Sequence, residues 1–154
     1  MDGGTERTGC YAFFLIKSAG VLDFDEGFLP EPDSAFDPDE ITALLGLQPF
    51  RAHRAGEARP GGRGRYPFSA WYGCRQAEPA VSRLDQCGRI AAALRPHIPA
   101  LRAIRERYNV TFSIEIDPQS PDEGGVIGMT HDVIEFCYLT GTEIVVDLFC
   151  YRDM

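Results

Sequence analysis

Residues 110–117 read Val-Thr-Phe-Ser-Ile-Glu-Ile-Asp, an unbroken alternation of apolar and polar side chains. Successive side chains of a strand point to opposite faces. Val110, Phe112, Ile114 and Ile116 therefore share one face, and Thr111, Ser113, Glu115 and Asp117 the other. Such a strand belongs in a sheet with one face packed on a core and the other left uncovered. The rest of the chain must then supply neighbouring strands and a layer of helices on one side.

Those elements are legible. Cys10 to Lys17 is apolar and aromatic and reads as a buried strand; strands are also expected at 67–75 and 142–150. Asp37-Pro38-Asp39-Glu40 is a helix start, with Asp at the N-cap, Pro at the first turn and Glu placed to close a capping box. The helix it opens, near 38–46, takes its apolar face from Ile41, Leu44 and Leu45, and Gly46 is its stop. Ser82 and Asp85 suggest a second capping box for a helix over 83–95. Further helices are expected at 99–108 and, capped by Thr130, at 131–140. Residues 20–37 form an acidic loop and residues 48–66 a Gly- and Pro-rich one. Strand, helix and strand over 10–75 repeat in type over 110–150, although a shared amphipathic pattern explains that likeness equally well. The expected fold is α+β: a single mixed sheet of about four main strands with helices packed on one face, one form of it being two β-α-β halves joined by a helical segment.

The chain of 154 residues fits one domain, with 1–9 as a flexible tail. With 44% apolar and 25% charged residues it has a globular composition. Its longest apolar run, Tyr11 to Ile16, is far short of the ~20 residues that span a bilayer, so no membrane partner is expected. Met1 to Glu6 is polar and acidic, unlike a secretory or transit segment. The five Cys are odd in number and never in a C-x-x-C pair, as expected of a cytoplasmic protein.

Motifs that would carry chemistry are incomplete. Gly61-Gly62-Arg63-Gly64 lacks the Gly-Lys-Ser/Thr that grips a nucleotide phosphate. Asp23-Phe24-Asp25-Glu26-Gly27 resembles a calcium loop, but its glycine comes one place early and the twelfth position is Ser34. His53, His97 and His131 lack ligand spacing. No cofactor and no metal are expected. Glu115 and Asp147, both off the apolar face, are the best-placed carboxylate pair for acid–base work. A spatial pair of Cys10 or Cys74 with His131 is the one arrangement for a nucleophile.

Phe36-Asp37-Pro38-Asp39-Glu40-Ile41-Thr42-Ala43-Leu44-Leu45-Gly46-Leu47-Gln48-Pro49 resembles the signature opening of the bacterial domain of unknown function 4279 family. Arg51 to Glu57 resembles that family's basic segment, Ser69-Ala70-Trp71 its Trp-bearing strand, and Val146-Asp147-Leu148-Phe149 its final strand. The resemblance spans about residues 10 to 151. Where the family's basic segment often carries a Trp this chain has His53. The resemblance implies a fold and brings no activity, substrate or cofactor.

Function is expected from two surfaces. By alternation the uncovered sheet face presents Phe13, Trp71, Glu115, Asp147 and Phe149, a mix of aromatic and charged groups typical of interfaces. That pattern suggests a non-enzymatic module binding a protein partner or a second copy of itself. The loop 48–66 holds five Arg against one Glu, a local +4 in a chain of −8. Its Arg51, His53, Arg54 and Arg65 are candidates for a small anionic ligand, bound by a sensor or an enzyme. Internal pairing with the acidic loop is the alternative use for those cations. A third reading, from the −12 outside that loop, is an acidic inhibitor of a basic protein such as a nuclease. The overall acidity speaks against a dedicated nucleic-acid binder.

Overall fold

The alternating segment forms a nine-residue strand, paired along its whole length with the N-terminal strand. The computed structural model describes residues 10–77, 83–118 and 128–146. In chain order its elements are β1 (Cys10–Ser18), β2 (Gly20–Asp23), β3 (Gly27–Pro30), α1 (Pro38–Leu45), β4 (Arg51–His53), β5 (Ala70–Gln76), α2 (Arg83–Leu94), α3 (Ile98–Arg107), β6 (Val110–Pro118), α4 (His131–Thr140) and β7 (Glu143–Val146). One mixed sheet runs β4-β5-β1-β6-β7, antiparallel except for the parallel β6–β7 pair, and β2 and β3 make a separate hairpin. The fold is α+β. Among the described residues no helix is long and apolar enough to cross a membrane.

The helices cover the face chosen by the alternation. Phe14, Ile16, Phe112, Ile114 and Ile116 are fully buried against Ile41, Ile90, Leu94, Leu101, Ile104, Val133 and Phe136. Each such side chain contributes roughly 1.5–3 kcal/mol on leaving water. Leu44, expected on the apolar face of its helix, is exposed instead, and so is Ile134 of α4.

The two halves close differently. The first returns β5 antiparallel beside β1, whereas in the second α4 is the crossover that lets β7 run parallel to β6. Capping follows the expected chemistry at most ends. Asp37 accepts from the Asp39 N–H, Thr130 accepts from Val133, and Gly46 and Gly141 end their helices in the left-handed region. Glu40 does not close a capping box; it accepts the hydroxyl of Tyr108 on the neighbouring helix end. Ser82, the proposed cap of α2, lies outside the described residues.

Both expected loops contain strands. The acidic segment holds the β2–β3 hairpin, and the calcium-like motif is its turn. There Asp23 accepts the N–H groups of Asp25 and Glu26 at 2.8 and 2.9 Å, which lowers its carboxyl pKa. The basic segment supplies β4 and then a hydrogen-bonded arm. Gly56 and Glu57 bond across to Tyr66, Ala58 bridges Arg65, and Arg59 N–H reaches the Gly64 carbonyl at 2.8 Å.

Candidate functional site

Pairing register lays the uncovered face out in transverse rows. Arg51 pairs Tyr72, Tyr72 pairs Leu15, Leu15 pairs Ser113 and Ser113 pairs Glu143, one residue from each of the five strands. The next row towards the start of β1 holds Phe13, Glu115 and Val145. The row on the other side holds His53, Ala70, Lys17 and Thr111.

This last row is roofed. Phe28 of the hairpin sits over the Lys17 ammonium at 4.1 Å, and Phe68 packs edge-on against Phe28 at 5.0 Å. Burial is the main cause lowering the Lys17 pKa, opposed by Glu115 and Glu143. His53 lies beneath Tyr66, stacked at 3.5 Å with the rings 6° from parallel. It is 2% exposed, and among the described residues neither ring nitrogen has a hydrogen-bond partner of good geometry.

The opposite end stays open as a cleft of about 450 Å³. Phe13, Phe50 and Tyr72 form its aromatic floor, with ring centroids 5.7–6.1 Å apart. Arg51 lies 5.0 Å from the Tyr72 ring and Arg75 lies 5.5 Å from that of Phe50. Glu115 and Asp117 stand on the far wall. Ser113 donates to Glu115 at 2.7 Å. One Asp117 oxygen is buried with no partner among the described residues. Burial raises the Tyr72 pKa, so its phenol stays protonated at neutral pH.

A bulge aims Arg75 into this cleft. Ala12 pairs Gln76 but Phe14 pairs Gly73, so β5 carries one extra residue, and Cys74 takes it up at φ 55°. That extra residue also explains the correction at Trp71. The indole is fully buried on the helix side, facing Ile16 across the ladder, so Trp71 is no part of the uncovered face. Its ring lies over Gly73, where an added Cβ would come within 2.5 Å of it. Read with Trp71 inward, the alternation of β5 puts Tyr72 outward. The large indole beside a glycine two residues on was the signal for this parity. Phe50, just before a three-residue strand, left no periodic signal.

The expected residues divide accordingly. Phe13, Glu115 and Arg51 come together in the cleft. Arg54 instead bonds Asp37 at 2.6 Å and Asp39 at 2.9 Å, the internal pairing weighed as an alternative. Arg65 donates to the Gly56 carbonyl and braces the arm. Asp147 and Phe149 lie outside the described residues, as does Cys10's side chain. Cys74 and Cys137 are free thiols whose pKa values burial raises, the opposite of an activated nucleophile. Among the described residues no cluster of three or more His, Cys, Asp or Glu could hold a metal.

No curated protein and no solved structure matches the chain. The family match is nearly complete: it covers residues 10–151, from β1 past β7, and the chain belongs to the family described as Domain of unknown function (DUF4279).

Proposed function

We propose that this chain is a non-enzymatic binding module that self-associates through the open end of its sheet face. The observation that carries the reading is the distribution of charge along the rows. Arg51 and Arg75 lie on the β4–β5 side, Glu115 and Glu143 on the β6–β7 side, and Phe13 and Tyr72 between them. A two-fold axis running along β1, parallel to the strands, would set Arg51 of one copy against Glu143 of the other, Tyr72 against Ser113, and Phe13 against its own copy. An axis across the strands would put like charges together. The face is thus self-complementary in the one orientation, as a symmetric dimer interface requires. Tyr, Phe and Arg are also the residues on which interface energies concentrate.

Light scattering behind a sizing column, over a concentration series, tests this. At about 100 µM a dimer with a Kd of about 1 µM is almost fully formed. Arg51→Glu should weaken it about tenfold or more, because the reversed charge meets Glu143 at two symmetric places. Mixing Arg51→Glu with Glu143→Arg should restore a mixed dimer. A chain that is monomeric at that concentration overturns the reading, as does a dimer indifferent to both reversals.

A further inference from the structure

The arm that follows β4 holds a second cleft, also of about 450 Å³, which shares Arg51 with the sheet face and whose other walls the self-association reading does not use. Its walls are Arg51, Arg59, Arg63, Tyr66, Pro60 and Gly61, three guanidinium groups and no carboxylate. Gathering like charges costs energy unless a counter-charge joins them. This happens in a chain of net charge −8, where carboxylates to neutralise them are plentiful. Arg54, in the same basic segment, does take two carboxylates. Arg59 and Arg63 make no ion pair among the described residues. The Nε of Arg59 is moreover buried with no hydrogen-bond partner among the described residues, a donor withheld from water.

The cleft is built on a held frame. Cross-arm bonds join Arg59 to Gly64 and Glu57 to Tyr66, and Tyr66 is fixed by its stack on His53. Arg59 lies 5.1 Å from the Tyr66 ring centroid, and Arg51 reaches the Tyr66 hydroxyl at 3.4 Å. The guanidinium fork matches phosphate oxygens in pairs. The forks of Arg59 and Arg63, with the charge of Arg51 beside them, suit a group with more than one negative charge. The volume exceeds what a lone phosphate fills and lies within the range of small-molecule sites. Tyr66 and Pro60 offer a flat apolar wall for the remainder of the molecule. From this geometry we infer that the Arg51–Arg59–Arg63 cleft binds a phosphorylated small molecule carrying two or more negative charges.

The probe is inorganic pyrophosphate, titrated into the full chain by calorimetry and by thermal melting, with sodium chloride of equal ionic strength as the reference. The expected result is saturable binding with a rise in Tm above the chloride reference. Arg63→Ala, on an exposed side chain, should weaken binding about tenfold or more, and Arg59→Ala at least as much. Arg59→Lys, which keeps the charge and loses the fork, covers the case in which the alanine variant fails to fold, and should also bind more weakly. Arg54→Ala should bind as the parent does. A response no larger than that of chloride overturns the proposal, and so does full-strength binding by Arg63→Ala. A short single-stranded oligonucleotide is the second arm. If it binds and pyrophosphate neither binds nor competes, the site belongs to a nucleic-acid backbone and the small-molecule proposal is overturned. Arg51 is shared with the proposed dimer contacts, but Arg59 and Arg63 are not, so the outcomes for their variants are read separately from whether the chain dimerises.

Discussion

Trp71 donates its indole N–H to the Thr42 hydroxyl at 3.0 Å, and that hydroxyl lies 3.3 Å from the Pro38 carbonyl. The bond joins the helix that follows the Asp-Pro cap to the strand that carries the one Trp of the chain. It explains why a polar residue sits on the inner side of α1. A fully buried indole must spend its donor somewhere, and Thr42 is where the helix offers an acceptor.

Removing the acceptor should therefore cost more than its size suggests. Thr42→Val keeps the volume but strands the buried N–H, at about 1–3 kcal/mol, while Thr42→Ser should stay within about 1 kcal/mol of the parent. Combining Thr42→Val with Trp71→Phe should lose less than the sum, since the polar mismatch then disappears. Urea denaturation followed by circular dichroism, which does not depend on the Trp, checks this. An additive double variant would show that the bond carries no net stability.

The two helix-ending glycines should differ in what they tolerate. Gly46 at φ 73° and Gly141 at φ 71° share the same left-handed strain for any other residue. Around Gly46 an added Cβ meets nothing within 4 Å, whereas at Gly141 it would fall 1.6 Å from the Arg105 guanidinium. That guanidinium donates to the Thr140 and Gly141 carbonyls at 3.1 and 2.8 Å, closing the end of α4 from α3. Gly46→Ala should cost about 1–2 kcal/mol. Gly141→Ala should cost that plus about 1–3 kcal/mol for the displaced charged hydrogen bonds. In an Arg105→Ala background the two glycine substitutions should converge. Equal costs in the parent would show that Arg105 moves aside freely.

Much of this architecture was legible because strong local signals agree with tertiary packing. The alternation of 110–117 and the Thr130 and Gly141 boundaries of α4 carry over nearly unchanged. The misreadings share a cause. Alternation phased on the outward Arg75 puts Trp71 outward as well; one bulged residue between them, at Cys74, shifts the phase of β5, and no periodic pattern encodes it. The β2–β3 hairpin and β4 have four and three residues, too few for a period to emerge, and their partners are fixed by register rather than by composition. For the basic segment, counting Arg located the charge. Which Arg is neutralised internally depends on Asp37 and Asp39 lying opposite Arg54, a relation across the fold.

His53 should make stability depend on pH in one direction. Its ring lies on the roofed row, between Tyr66 and Phe68 of the arm and Tyr72 of the sheet. Burial lowers its pKa first and Arg51 next, with a smaller push from Arg59. The Phe68 carbonyl and Glu57 act the other way. The unfolded chain, with a His pKa of about 6.5, then takes up a proton before the folded chain does. Wherever the unfolded state holds more protons, stability rises with pH. The His53 contribution is accordingly constant above about pH 7.5, and stability falls as pH drops through about 6.5 toward the lowered folded value. His53→Phe, which keeps a flat ring against Tyr66, should remove that fall and be the more stable chain, relative to the parent, at about pH 5. Urea midpoints measured for both chains at matched ionic strength decide it. Parallel pH profiles for the two would place the dependence elsewhere and show that the buried imidazole is protonated as readily in the folded chain as in the unfolded one.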